Sequence, residues 1–212
     1  GIGVEGHARR GLHEQEVGLR VVGEGASGRD HRSEGRSREH GPRVAPDGRN
    51  VAVIQGLMSD EGSNGGEVWL VPGEGGKARN LTPGLPSCAR SLHWRSSSEL
   101  WLLEARAGGS ALESLDPASG QRRELWAGLE SLSGFALAAS SGVTAAVRHS
   151  FDQPPEVHVG TPGAWRALTA WNARATRSWG PATSLGWETP AGRAQGFLLA
   201  PTELEPGRRY PL

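Results

Sequence analysis

Short apolar runs separated by polar, glycine- or proline-bearing turns recur through residues 43 to 169 in a fixed order. A polar turn precedes a first apolar run three times. Pro46-Asp47-Gly48-Arg49-Asn50 leads into Val51–Ile54, Arg95–Glu99 into Leu100–Leu103, and Ala139–Gly142 into Val143–Val147. A second run then enters another turn: Glu67–Val71 before Pro72–Gly76, Ala111–Leu115 before Asp116–Gly120, and Glu156–Val159 before Gly160–Gly163. A last short run closes each unit, Ala78–Thr82, Arg122–Trp126 and Trp165–Thr169. Runs of this length bounded by turn residues read as β-strands.

The closing leucines Leu81, Leu125 and Leu168 lie 44 and 43 residues apart. A period of about 40 to 45 residues with several strands per unit predicts the blades of a β-propeller. One blade is a small twisted sheet that cannot cover both of its faces, so blades stack and bury each other's apolar positions. Val68 and Leu70 point to one face of their strand, Trp69 and Val71 to the other. All four are apolar, as a blade held between two neighbours requires. The predicted fold class is therefore all-β: a partial β-propeller of three to four blades of antiparallel strands.

Different patterns flank the repeat. Residues 1–42 hold no aromatic side chain and no sustained period of 2 or 3.6. Such a segment buries too little apolar surface to offset its ordering entropy, and we expect it to be disordered. Its abrupt junction with the repeat near Pro42 also fits wrong-frame translation of a GC-rich gene. Residues 43–184 make up the blades. Residues 185–212 read as a propeller exit: a strand from Leu185, a turn around Ala191-Gly192, a strand from Gln195 to Ala200, and a proline-punctuated tail, Glu205–Leu212. Both ends of the sequence read as cut.

Composition supports this reading and narrows the function. The 32 glycines and 14 prolines suit many chain reversals. Lys+Arg and Asp+Glu each total 23, which offers nothing to attract nucleic acid or an anionic membrane. No apolar run approaches the roughly 20 residues that span a bilayer. The compartment stays open, with a cytoplasmic setting favoured. The single cysteine, Cys88, reads as a small buried thiol. Four of the seven histidines, His7, His13, His31 and His40, fall in the first segment. His13-Glu14-Gln15-Glu16-Val17 lacks the second histidine of a zinc-peptidase helix, so no metal site is expected there.

The Pro-Asp-Gly-Arg turn, the following strand and the closing Leu-Thr resemble the propeller repeats of TolB-like and prolyl oligopeptidase-like proteins. Trp187–Pro201 followed by Pro206-Gly207-Arg208-Arg209-Tyr210-Pro211-Leu212 is similar to the junction where serine peptidases of the acylaminoacyl-peptidase and dipeptidyl-peptidase branch pass from propeller to α/β-hydrolase domain. Two departures stand out: Ala191-Gly192 replaces the family's Asp-Gly, and the second and third repeats lack Pro-Asp-Gly. The resemblance implies a serine peptidase truncated before its α/β-hydrolase domain. In that setting the propeller is a non-catalytic gate admitting short peptides, and its partners are the C-terminal hydrolase domain and the peptide substrates.

Acyl transfer in this family needs a Gly-x-Ser-x-Gly elbow with a histidine and an acid. No serine in the sequence has glycine at both minus two and plus two. We therefore assign no catalytic, cofactor-binding or metal residues and expect no cofactor. His93, His149 and His158 read as structural, Asp47, Asp60, Asp116 and Asp152 as turn residues, and Trp69 and Trp101 as core. Gly73–Gly76 reads as a hairpin turn and not a phosphate cradle. The alternative function is a TolB-like scaffold for protein interaction with no enzymatic activity. Three to four blades cannot close a ring, so the chain alone should be marginally stable with exposed edges.

Overall fold

The runs of hydrophobicity become strands, and each repeat becomes a four-stranded sheet. The computed structural model describes residues 41–56, 66–190, 192–205 and 207–210. The expectations for residues 1–40, including the four histidines and the disorder, lie outside the described residues. So does the expectation for Asp60.

The first blade consists of β1 (Arg43–Val44), β2 (Asn50–Gln55), β3 (Glu67–Pro72) and β4 (Arg79–Asn80). The second contains β5 (Cys88–Ser96), β6 (Glu99–Arg106), β7 (Gly109–Leu115) and β8 (Arg122–Gly128). The third contains β9 (Ser131–Ala138), β10 (Val143–His149), β11 (Glu156–Thr161) and β12 (Ala164–Ala167). Within each blade the strands pair antiparallel in chain order. A two-stranded hairpin follows, β13 (Ala182–Thr189) with β14 (Gly192–Leu199). The described residues hold no helix long and apolar enough to cross a membrane.

Each repeat thus gains a leading strand that hydropathy does not reveal. β5 approaches both β1 and β9, which places the leading strands nearest the axis around which the blades fan. Polar Arg90, Ser91, His93 and Arg95 interrupt β5, and its ladder shifts register between Ala89 and Ser91 and again between Trp94 and Ser96. Bulges of this kind destroy the alternation that marks a strand in sequence.

Stacking places the core between the blades. One cluster joins Ala52, Val68, Leu70 and Leu81 of the first blade to Leu92, Leu100, Leu102 and Leu115 of the second. Another joins Trp101, Leu103 and Leu112 of the second blade to Leu132, Phe135 and Ala146 of the third. Neighbouring residues of β6 therefore serve opposite interfaces. Leu100 and Leu102 are 0% exposed towards the first blade, and Leu103 is 1% exposed towards the third. A buried leucine contributes about 1.5–3 kcal/mol, so the middle blade is secured from both sides.

The closing Leu-Thr has a local purpose. Leu81 and Leu168 each donate their N–H across 2.7 Å, to the carbonyls of Val68 and Val157. The following threonines accept the N–H of those same valines, Thr82 at 2.8 Å and Thr169 at 3.0 Å. This clasp continues the outer ladder for one more pair. The middle blade has Trp126 after Leu125 and instead extends β8 to Gly128.

Candidate functional site: a cleft between the second and third blades

Turn chemistry shapes the surface before any site forms. In the Pro-Asp-Gly turn, Gly48 has φ +72°, and Asp47 Oδ1 accepts the N–H of Arg49 at 3.0 Å. Asp116 Oδ1 accepts from Ala118 N at 2.7 Å. These backbone donors hold its carboxyl below the usual carboxylate range, assisted by the Ser119 hydroxyl. Asp152 differs: its carboxylate pairs with Arg177 across the surface.

The β8–β9 connection and the loop after β10 flank a cleft of about 540 Å³. Trp126, Leu129 and Glu130 line one side, Arg148, Ser150 and Asp152 the other. An aromatic pair supports this region, with Trp126 edge-on to Trp165 at 5.0 Å. The Arg148 guanidinium lies over the Trp165 ring at 5.1 Å and donates to Glu130 Oε1 at 2.7 Å. Trp165 Nε1 donates to Thr144 Oγ1 at 2.7 Å, which fixes the ring beneath the arginine. Such a surface can hold a polar ligand. Its serine is committed to the loop, since Ser150 Oγ accepts from Asp152 N and Gln153 N, both at 3.1 Å.

A second charged group lies on the first-blade side of the second blade. Glu104 is 1% exposed and Glu113 7%. Arg106 reaches Glu104 at 3.2 Å, Glu113 at 2.5 Å and Glu124 at 2.8 Å. Arg122 lies 3.3 Å from Glu113, and Ser87 Oγ donates to Glu104 at 2.6 Å. Burial acts to lower the Arg106 pKa, but the carboxylates of Glu104 and Glu113 outweigh it and raise the pKa above its ordinary value. The pairs give two buried carboxylates the counter-charge that burial demands.

The histidines occupy strands. His93 Nε2 lies 3.1 Å from Ser91 Oγ, a separation a nucleophile and its base could share. However, Ser91 is 2% exposed, and the His93 ring packs edge-on against Phe135 at 5.0 Å, leaving no space for a substrate carbonyl. His158 Nδ1 lies 3.1 Å from the Glu156 carbonyl, and His149 ends β10. Trp101 packs in the core, while Trp69 is half-buried on the outer side of the first blade. Cys88 is half-buried at the start of β5, more open than the buried thiol expected. Among the described residues no group of three or more His, Cys, Asp or Glu side chains could hold a metal ion. The Arg148 cleft and the Glu104–Arg106 group both escape sequence reasoning, because their members come from separated strands.

The hairpin docks at the blade tips. Gln195 Nε2 donates to the Ala107 carbonyl at 2.8 Å, and Phe197 packs on Phe151 with ring centres 4.8 Å apart. Beyond it, Tyr210 OH accepts from Glu205 N at 3.0 Å and donates to the Glu203 carbonyl at 3.3 Å, tying Tyr210 back to both glutamates.

No protein-family model and no curated protein matches the sequence. Solved structures do match the fold. An acylaminoacyl peptidase in complex with Z-Gly-Gly-Phe-chloromethyl ketone is similar at a TM-score of 0.57 and 15% identity, over 78% of this chain and 25% of its own. A Mycobacterium tuberculosis puromycin-hydrolyzing peptidase is similar at 0.52 and 17% identity, over 79% of this chain and 28% of its own. The acylaminoacyl peptidase of Pyrococcus horikoshii is similar at 0.52 and 14% identity, over 72% and 24%. The chain thus spans about a quarter of the length of these peptidases. At such identities the likeness establishes the fold, a segment of β-propeller.

Proposed function

We propose that this chain is the propeller portion of a serine peptidase of the prolyl oligopeptidase type, in the acylaminoacyl- or dipeptidyl-peptidase branch. It acts as a non-catalytic cover over an active site carried by an α/β-hydrolase domain. Short peptides pass such a cover and folded proteins do not, so selectivity arises from access and from exclusion of bulk water.

The observation that carries this reading is the hairpin β13–β14 directly after the blades. Its Trp187, Gly196-Phe197-Leu198 and the Pro-Gly-Arg-Arg-Tyr tail resemble the family's exit from propeller to hydrolase. Its docking on Ala107 and Phe151 holds that exit against the ends of the second and third blades. The matching peptidases, of which the aligned segment covers 24–28%, support a catalytic domain outside it.

The test uses a fluorophosphonate probe, which labels activated serines, and an acetylated-alanine chromogenic substrate. The purified 212-residue chain should neither label nor turn over substrate. The open reading frame continued past Leu212 should encode a Gly-x-Ser-x-Gly elbow, and its product should do both. Serine-dependent turnover by the 212-residue chain would overturn the proposal. A continuation encoding only further blades would also overturn it and favour an interaction scaffold.

A further inference from the structure

We propose that the cleft between the second and third blades binds an apolar carboxylate, a single carboxylate joined to an aromatic or aliphatic group, as at the C-terminus of a short peptide. Arg148 holds the carboxylate, and Trp126 with Leu129 holds the apolar group. The site rests on blade side chains alone and its test measures binding, not turnover, so it stands or falls apart from the peptidase reading.

Arg148 has donors to spare. A guanidinium carries five N–H groups in a rigid fork. Its side chain is 17% exposed, and Nη2 gives one N–H to Glu130 Oε1 at 2.7 Å. Among the described residues the buried Nε atom has no hydrogen-bond partner. An unmet buried donor is costly, which favours an acceptor brought from outside the chain. A carboxylate suits the fork, because its two oxygens accept from adjacent N–H groups of one guanidinium.

Both walls are held in place before a ligand arrives. Buried Thr144 donates to the Gly160 carbonyl at 2.8 Å and accepts from Trp165 Nε1 at 2.7 Å, and Trp165 supports the arginine. Trp126 folds back along its own strand because residue 128 is glycine; a Cβ there would lie 2.6 Å from the indole ring. The loop after β10 is pinned by Arg177 on Asp152 and by Trp179 Nε1 on the Phe151 carbonyl at 3.1 Å. Groups already ordered lose less freedom on binding. All the lining residues come from the second and third blades and the connections at their ends, and these blades pack directly on each other. The shape of the cleft therefore does not depend on where the sequence begins or ends.

Size and charge narrow the ligand. The cleft of about 540 Å³ lies within the range of about 300–1,000 Å³ usual for small-molecule sites. Glu130 and Asp152 share the lining with Arg148, so a dianion such as a phosphate monoester meets two like charges. A monoanion on the Arg148 fork avoids most of that repulsion. The Trp126 indole and the Leu129 side chain, 61% exposed, then cover an apolar group beside it.

Isothermal titration calorimetry of the 212-residue chain tests the site with N-acetyl-phenylalanine, its C-terminal amide and inorganic phosphate. The carboxylate should bind with a Kd below about 1 mM, and the amide and phosphate about tenfold more weakly. Arg148→Lys keeps the charge but loses the fork, and should weaken carboxylate binding about tenfold. Glu130→Gln removes a repelling charge while its amide oxygen still accepts from Arg148, so it should tighten binding about threefold. A merely structural role for the pair would not give that gain, and this variant carries the test should Arg148→Lys fail to fold by circular dichroism. Acetyl-Ala-Ala-Phe separates the sources: tighter binding than N-acetyl-phenylalanine supports a peptide end, and equal binding supports the terminal residue alone. A wild type that does not bind the carboxylate overturns the proposal. So does an amide that binds as tightly, a folded Arg148→Lys that binds unchanged, or a Glu130→Gln that binds no tighter.

Discussion

Truncating Leu102 and Leu103 in turn probes the two-sided burial on which blade stacking depends. The residues are adjacent in β6 and point to opposite faces, 0% and 1% exposed. Each Leu→Ala change loses about 2 kcal/mol of transfer free energy. A residual cavity of roughly 50 Å³ adds about 1 kcal/mol at about 24 cal/mol per Å³. Each variant should therefore lose about 3 kcal/mol. For a chain of this size that is a fall in Tm of about 6–12 °C. Equilibrium urea unfolding followed by tryptophan fluorescence measures it, and the m-value should stay unchanged. In an ordinary one-sided sheet one of the two leucines would face water. Leu103→Ala costing less than about 0.5 kcal/mol beside a costly Leu102→Ala would match that case and refute the stacking.

Other expectations follow from particular contacts. Ala107 has φ +48° at the first central position of the β6–β7 turn, so Ala107→Asn should stabilise by about 0.5–1 kcal/mol in urea unfolding by supplying the favoured Asn-Gly pair. Gly108→Ala should cost more than about 1 kcal/mol, because φ is +77° and the added methyl would lie 2.6 Å from Gln195 Nε2. Arg106→Met leaves Arg122 as the remaining counter-charge for Glu104 and Glu113 and should cost about 2 kcal/mol; that is less than for a fully buried pair, because Arg106 is 30% exposed and Arg122 stays within 3.7 Å of Glu104 and 3.3 Å of Glu113. The pKa of Glu156 is lowered by hydrogen bonds from the Thr169 hydroxyl and the Asn172 backbone. A lowered folded pKa gives stability that is present above the unfolded value, about 4.3, and lost as pH falls through the folded one. Thermal melts from pH 7 to 3 should show Tm dropping on acidification, less steeply in Glu156→Gln; an unchanged slope would contradict the assignment.

The legible parts of the fold are those where burial writes itself into a short run. Leu100–Leu103 announces a strand because both of its faces meet another blade, while Val51–Ile54 and Glu67–Val71 are apolar on both faces although only Ala52, Ile54, Val68 and Leu70 pack against the second blade. β5 and β9 stay hidden because bulges and polar inward positions break their alternation, as at Ser91 and at Gly134 with φ +55°. Leu125 shows the limit of spacing as a guide. It has the right separation, but no threonine follows it, and the register shift between Leu112 and Glu113 replaces the clasp made by Leu81 and Leu168. Aligning runs by eye also offsets the third copy by one residue, placing Val143 beside Val51 where pairing matches Ala145 with Ala52. Charged groups such as Glu104, Arg106, Glu113 and Arg122 are invisible in sequence because residues far apart in the chain become neighbours only through strand register.

Amide hydrogen exchange read by mass spectrometry tests most directly whether the middle blade is held between two others. Peptides from β6 and β7 should exchange slowest of all, and those from the solvent-facing hairpin β13–β14 far faster. Equal rates in the two regions would contradict a stacked propeller segment.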